Sequence, residues 1–83
     1  MNSLEIMKQV NTIFIDVLEN DNIVIDRKTS AKDIAEWDSL NHIQLIVAIE
    51  KHFKIRFTSG NIQKWNGVGD MCDDIEKLLL HAK

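Results

Sequence analysis

The chain has no proline, only three glycines and a single cysteine, Cys72, among its 83 residues. Because proline and glycine are the strongest helix breakers, their scarcity favours long, uninterrupted helices. A lone cysteine excludes an internal disulfide framework and is typical of a reducing compartment. We therefore expect a cytoplasmic protein.

A basic excess is also missing, since 13 acidic and 10 basic side chains give a net charge of −3. Nucleic acid is therefore not an expected partner. No apolar run approaches the length of a membrane-spanning helix, so membrane insertion is not expected either. We expect the protein to be monomeric.

The residues that are present are those of a compact helical domain. Hydrophobic residues make up 45% of the chain and charged residues 28%, which argues against a disordered segment. A chain of this length can build one small core. Residues 1–83 are therefore predicted to form a single domain.

The first amphipathic segment predicts a helix from about Ser3 to Glu19, capped by Asn2 or Ser3. Its apolar residues recur at three- and four-residue steps. They are Leu4, Met7, Val10, Phe14, Val17 and Leu18.

A long connection follows this helix, and loops of that length are usually functional or disordered. Its apolar run at residues 23–25 could be a strand, but the sequence offers no second strand to pair with it. We interpret the run as a loop segment pinned to the core. Residues 29–34 are predicted to add a helical turn, with Thr29 or Ser30 as its cap and Ile34 pointing inward.

The second helix is predicted to start at Asp38 or Ser39 and to end near His52 or Phe53. At about 100° per residue, its apolar residues fall on two roughly opposite arcs. The arc expected to face the core holds Leu45, Ile46, Ile49 and Phe53. The opposite arc holds Leu40, Ile43 and Val47.

Two interpretations of the second arc stay open. Another part of the chain, such as the long loop, covers it, or the arc docks a partner. The polar rim expected around an interface with an apolar centre is supplied by Gln44, Glu50 and Lys51.

Residues 54–57 are predicted to cross the end of the bundle. Thr58 or Ser59 then caps a short helix that holds Ile62 and Trp65. The last helix has acidic residues in its early turns and basic residues toward its end, which complements the helix dipole. Its apolar residues, at helical spacing, are Val68, Met71, Cys72, Ile75, Leu78 and Leu79.

These elements predict an all-α fold. It is a small four-helix bundle of three longer helices and one short helix, with a long loop between helices one and two.

Asp38 and Ser39 place a carboxylate and a hydroxyl where the polar loop meets the second helix. Taken alone, such a pair is most often an ordinary helix cap. A phosphodiester on Ser39 would lie among unpaired backbone N–H groups, at the positive end of the helix dipole. The serine is therefore the predicted seat of function.

Over nearly its whole length the chain resembles the acyl carrier protein family, including the related peptidyl carrier domains. The resemblance rests on the tetrapeptide Trp37-Asp38-Ser39-Leu40 and on the residues spaced after it. These are Ile43, Leu45, Ile46, Ile49, Glu50, Phe53, Ile55 and Phe57, followed by Val68-Gly69-Asp70 at the start of the last helix.

The resemblance implies a carrier that is not an enzyme. It implies that Ser39 accepts 4′-phosphopantetheine from coenzyme A through a magnesium-dependent phosphopantetheinyl transferase, and that acyl or aminoacyl cargo rides on the arm as a thioester. Asp38 matches the acidic residue beside the serine, where it caps the helix and helps to position the metal of the transferase. Leu40, Ile43 and Val47 match positions that meet the acyl-loading and acyl-transfer enzymes.

The predicted face for partner enzymes consists of Leu40, Ile43, Gln44, Val47 and Glu50. The resemblance covers fatty acid, polyketide, peptide and polysaccharide-type biosynthesis. Acids common on the second helix of fatty-acid carriers are replaced here by Asn41, His42, Gln44, Lys51 and His52. Electrostatic attraction to basic fatty-acid enzymes is therefore expected to be weaker. The Trp before Asp-Ser-Leu and the Asn-His after it look more like the discrete carriers of polyketide, peptide or surface-polysaccharide assembly.

Three other hypotheses compete with the carrier. Ser39 could be a nucleophile with His42 as its base, but no Gly-x-Ser-x-Gly elbow and no residue to orient His42 are evident. The chain could also be a non-catalytic interaction module in which Ser39 only caps a helix. A metal site is not predicted, because the histidines and Cys72 lack ligand spacing. Trp37 and Trp65 are interpreted as packing residues, with lining of the arm or a partner contact as the alternative for Trp37. His42 is interpreted as a partly buried, hydrogen-bonded histidine. The alternative for His42 is the mouth of the space between helices, where some members of the family shelter an acyl chain.

Overall fold

The computed structural model describes residues 2–81, and its four helices are α1 (Ser3–Leu18), α2 (Ser39–Phe53), α3 (Ser59–Lys64) and α4 (Val68–His81). No β-strand occurs within that range. The prediction of an all-α bundle with three longer helices and one short helix is confirmed. None of the described helices is long and apolar enough to cross a bilayer.

The predicted bounds of α1 and α2 agree with the structure to within one residue. Asn2 caps α1 by accepting a hydrogen bond from the backbone N–H of Glu5 at 2.8 Å. Glu19 lies just beyond the helix, because its φ of 54° is left-handed and ends the repeat. Trp65, predicted to lie inside the short helix, instead follows Lys64 as the C-cap of α3, with an extended backbone.

The core lies between α1, α2 and α4. The side chains with almost no solvent exposure include Ile6, Val10, Phe14, Leu45, Ile49, Val68, Met71 and Ile75. Burial of each such side chain contributes roughly 1.5–3 kcal/mol before conformational entropy is subtracted. The arc of α2 predicted to face the core is buried as expected, since Leu45, Ile46, Ile49 and Phe53 are all buried.

The loop between α1 and α2 is pinned to the core, as the sequence indicated. Ile23 and Ile25 are buried, whereas Val24 between them is 87% exposed. Asn11 takes the place of a partner strand: its amide nitrogen donates to the carbonyl of Ile23 at 3.3 Å. Its amide oxygen accepts from the N–H of Ile25 at 2.7 Å. One side chain of α1 thus satisfies the backbone that would otherwise need a strand.

A hydrogen-bonded turn lies within residues 29–34, as predicted, and it is confined to residues 31–33. Residues 31–33 form an isolated turn in which the N–H of Asp33 donates to the carbonyl of Ser30 at 2.9 Å. The carboxylate of Asp33 accepts from the N–H of Ser30 at 3.0 Å. Because this local bond closes the turn, the backbone does not continue into a helix. Ile34 is half-buried and packs against the core, as expected.

The same loop also docks on the start of α4. The N–H of Val68 donates to the carbonyl of Thr29 at 2.8 Å, and the N–H of Gly69 donates to that of Arg27 at 3.0 Å. The loop thereby satisfies helix-start donors that would otherwise lack partners. Arg27 and Asp73 add a bidentate ion pair on the surface, with N–O distances of 2.9 and 3.1 Å. This pair lowers the pKa of the Asp73 carboxyl.

Gly69→Ala is expected to destabilise the protein. A Cβ at this position would lie 2.9 Å from the carbonyl oxygen of Arg27, which is backbone and cannot move without breaking the dock. We expect the free energy of unfolding to fall by about 1–3 kcal/mol, measured by urea denaturation followed by circular dichroism.

Gly60→Ala is the matched control. Its Cβ would meet nothing closer than the Thr58 hydroxyl oxygen at 3.8 Å. The helix propensity gained by alanine is similar in both variants, so Gly60→Ala should be neutral or stabilising. Equal stability of the two variants would show that the contact between the loop and α4 is not tight.

Candidate functional site

The start of α2 is held by Asp38, which is its N-cap. The Asp38 carboxylate accepts from the N–H of Asn41 at 2.8 Å, and its carbonyl accepts from the N–H of His42 at 2.8 Å. The Asn41 side chain reaches back to the carbonyl of Glu36, also at 2.8 Å. The loop and the helix are therefore tied together from both sides of the junction.

Ser39 is the first residue of α2, and it is exposed. Because Asp38 provides the cap, the Ser39 hydroxyl is not used for this purpose. The hypothesis in which Ser39 acts only as the helix cap is therefore wrong. A modifying enzyme can reach the hydroxyl from solvent.

The backbone around Ser39 suits a phosphodiester. Asp38 uses the N–H groups of Asn41 and His42, whereas those of Ser39 and Leu40 have no partner among residues 2–81. Free donors at the positive end of a helix dipole attract a phosphate. The exposed hydroxyl and these donors together fit a phosphate-linked arm.

Trp37, directly before the cap, is an anchor in the core. Its side chain is 7% exposed and meets the ring of Phe14 edge-on, with ring centroids 4.9 Å apart. Its indole N–H donates to Nδ1 of His42 at 2.9 Å. The sequence-based interpretation of Trp37 as a packing residue and of His42 as a partly buried, hydrogen-bonded residue is confirmed.

This hydrogen bond also determines the state of His42. Since Nδ1 accepts from Trp37, the neutral ring carries its proton on Nε2. Burial lowers the pKa of His42, which favours the same neutral form. The ring then has no unshared nitrogen to take a proton from Ser39. The hypothesis of a Ser39 nucleophile with a His42 base is not supported.

An open groove of about 850 Å³ lies beside Ser39. The rings of Trp37, His42 and Trp65 line one part of it, and the His42 and Trp65 centroids are 6.4 Å apart in an edge-on arrangement. The Trp65 indole N–H is held by the carboxylate of Asp74 at 2.6 Å. The sequence indicated packing alone for Trp65, since no local pattern predicts its place in this groove.

The second apolar arc of α2 is uncovered. Leu40 is 66% exposed, Ile43 61% and Val47 42%, and Gln44 between them is exposed as well. The interpretation in which the long loop covers this arc is therefore wrong. Glu50 lies farther along, half-buried, with its carboxylate accepting from the N–H of Phe57 at 2.9 Å.

Other reactive groups do not form a site in the described part of the chain. Among the side chains of residues 2–80, no three His, Cys, Asp or Glu are grouped so that they could hold a metal ion. Cys72 is buried, and burial raises the pKa of its thiol to about 11. The thiol is therefore protonated and unreactive near neutral pH.

Two comparisons with known proteins agree with this geometry. The family model described as "Phosphopantetheine attachment site" matches residues 8–75. A solution NMR structure of the holo acyl carrier protein from Geobacter metallireducens is 45% identical, with a TM-score of 0.88. The match covers 92% of this chain and 87% of that one.

The match to the family model spans most of the chain, and the structural match covers 92% of it. Both support a non-catalytic carrier with a covalently attached 4′-phosphopantetheine. The chain belongs to the phosphopantetheine-attachment family of acyl carrier proteins.

Proposed function

We propose that Ser39 is the residue that bears the phosphopantetheine arm, and that the protein presents acyl or related cargo to the enzymes of a biosynthetic pathway. One observation carries the proposal: Asp38 caps α2, which leaves the Ser39 hydroxyl exposed at the start of the helix. The arm supplies a terminal thiol, to which cargo is joined as a thioester.

The residues around Ser39 divide the work of the site. The backbone N–H groups of Ser39 and Leu40 hold the phosphate. Asp38 fixes the helix start and offers a carboxylate to the magnesium ion of the phosphopantetheinyl transferase. Trp37 and His42 keep the junction seated on the core, so that the hydroxyl is held in one place.

The face for loading and transfer enzymes runs along α2 from the attachment site. Leu40, Ile43 and Val47 provide its exposed apolar centre, and Gln44 adds a polar contact. Glu50 lies at the far end, where one carboxylate oxygen holds the Phe57 amide and the other is available to a partner. Exposed apolar side chains beside a modification site favour a docking function.

The composition of α2 favours a specialised pathway over bulk fatty-acid synthesis. Uncharged Asn41 and Gln44, with Lys51 and His52 farther on, leave this helix with Glu50 as its one acid. Partners that recognise an acidic helix would therefore gain little here. Polyketide, peptide or surface-polysaccharide assembly is the proposed setting.

The attachment site is tested by intact-mass spectrometry after incubation with coenzyme A, magnesium and a broad-specificity phosphopantetheinyl transferase. The wild-type protein should gain one arm, and Ser39→Ala should gain none because it lacks the accepting hydroxyl.

Ser59→Ala is the matched control. Ser59 is also an exposed first residue of a helix, after the cap Thr58, so this variant should still gain one arm. Loss of the arm in Ser59→Ala, with the arm still added to Ser39→Ala, would show that Ser59 is the attachment site. A folded wild-type protein whose mass stays unchanged in the presence of an active transferase would contradict the proposal.

The two roles of Asp38 can be separated by substitution. Asp38→Ala removes the cap and should lower the free energy of unfolding by about 0.5–2 kcal/mol. Asp38→Asn keeps a capping oxygen and should remain close to wild-type stability, while the transferase modifies it more slowly because the carboxylate is lost. Urea denaturation and the initial rate of arm addition are the two measurements. If Asp38→Asn accepts the arm at the wild-type rate, the Asp38 carboxylate caps the helix but has no role in the transfer.

Stability should fall as the pH drops below about 6.5. Because burial lowers the pKa of His42 from its ordinary value of 6.5, the unfolded chain takes up a proton more readily than the folded one. Stability from this group is therefore complete above that pH and is lost as the pH falls through the folded-state pKa. Urea denaturation at pH 7.5 and 5.0 measures the change.

The loss of stability between the two pH values is compared in wild type and two variants. All three proteins have the same carboxylates, so a difference between them reports the histidine. His42→Phe should show a smaller loss between the two pH values than wild type. His52→Phe, at an exposed histidine of the same helix, is the matched control for the loss of an imidazole ring. If the free energy of unfolding fell equally in all three proteins, His42 would not contribute to the pH dependence of stability.

A further inference from the structure

A second groove lies at the end of α2 far from Ser39. It has a volume of about 700 Å³ and is formed by the end of α2, residues 54–56 and α4. Val47, Ile55 and Leu78 give it an apolar lining. Because Val47 also belongs to the exposed arc of α2, the groove continues the apolar face that begins at Leu40.

Three cationic side chains line the same groove: Lys51, Lys54 and Arg56. All three residues are exposed. Arg27 and Asp73 form the one ion pair found among residues 2–81, so these cations have no carboxylate partner there. Glu50 also lines the groove, with one carboxylate oxygen accepting from the Phe57 amide, so three basic residues and one acidic residue leave the lining with a formal excess of two positive charges.

The placement of the cations follows from helix geometry. Steps of about 100° per residue put Lys51 on the same side of α2 as Leu40, Ile43 and Val47. With a rise of about 1.5 Å per residue, this face runs roughly 20 Å from Leu40 to the end of the helix. Lys51 also complements the negative end of the α2 dipole. That effect does not account for Arg56, which lies beyond the helix.

We infer that this cationic groove receives an acidic segment of a partner enzyme, one with Asp or Glu side chains flanking an apolar centre. The inference rests on the proposed carrier function, because the groove ends the face that begins at the attachment site. Unpaired cations around an apolar floor are complementary to such a segment. The partner's acidic patch then lies about 20 Å from the point where Ser39 approaches its active site.

A membrane surface fits this groove less well than a protein. Polybasic membrane segments carry four to eight clustered cations, whereas the groove has three in a chain whose net charge is −3. Anionic lipid would therefore repel the rest of the molecule. The narrow strip along one helix face matches a protein segment better than a broad bilayer.

The test uses the ¹⁵N-labelled protein carrying its arm and two 15-residue helical peptides. One peptide has a leucine stripe flanked by glutamates, and the other has lysine in place of every glutamate. We expect the acidic peptide to cause saturable amide shifts at Val47, Lys51, Ile55 and Leu78. The lysine peptide should cause no such shifts.

Charge reversal supplies the controls. The triple variant Lys51→Glu, Lys54→Glu, Arg56→Glu should weaken binding of the acidic peptide by about tenfold or more, since each exposed pair contributes up to about 1 kcal/mol. The triple variant Lys8→Glu, Lys28→Glu, Lys64→Glu has the same net charge and changes exposed cations outside the groove. It should lose much less affinity.

Three results would overturn the inference. They are equal binding of the two peptides, equal loss in the two triple variants, and shifts at the groove caused by vesicles containing phosphatidylglycerol but not by the acidic peptide. Arm addition by the transferase is measured on every protein. If the transferase adds the arm but the protein binds both peptides equally, the inference about the groove is wrong and the carrier function stands. If the transferase adds no arm to the wild-type protein, the carrier function is wrong.

Discussion

The buried indole of Trp37 is the interaction on which the site depends. It lies against Phe14 of α1 and donates its N–H to His42 of α2, so one side chain joins the end of the long loop to two helices. Asp38 follows directly and caps α2. The position of Ser39 is therefore set by packing in the core, although its own side chain is exposed. A reactive hydroxyl on a rigid helix start is easier to present to several enzymes than one on a mobile loop.

The loop between α1 and α2 is ordered although it contains no helix or strand. It is fastened at three places: by Asn11 beside Ile23 and Ile25, by the start of α4 at Arg27 and Thr29, and by Trp37. Each fastening satisfies backbone groups or buries an apolar side chain, which offsets the entropy lost in ordering the chain. Gly69 allows the closest of these approaches, since a side chain there would meet the Arg27 carbonyl.

The parts of the fold that were predicted correctly are those with local signals. Apolar spacing and capping residues predict α1 and α2 to within one residue, because both signals lie inside each helix. The polar pair Asp38 and Ser39, directly before the apolar spacing, predicted the start of α2, and the resemblance to carrier proteins supplied the expected role of Ser39. The errors lie where distant residues decide the outcome. The bond between Trp65 and Asp74, and the approach of Arg27 to Gly69, have no periodic signature.

The two ends of α2 differ in chemistry, and this difference organises the surface. The beginning offers a hydroxyl and free N–H groups, the middle an exposed apolar strip, and the end unpaired cations. The function proposed for this surface depends on Ser39 being the residue that bears the arm. Fragment-ion mass spectrometry of the protein isolated from its own cells tests this claim most directly. We expect the phosphopantetheine mass on Ser39, within the peptide that contains Trp37. The arm on another residue, such as Ser59, or no arm in any molecule, would contradict it.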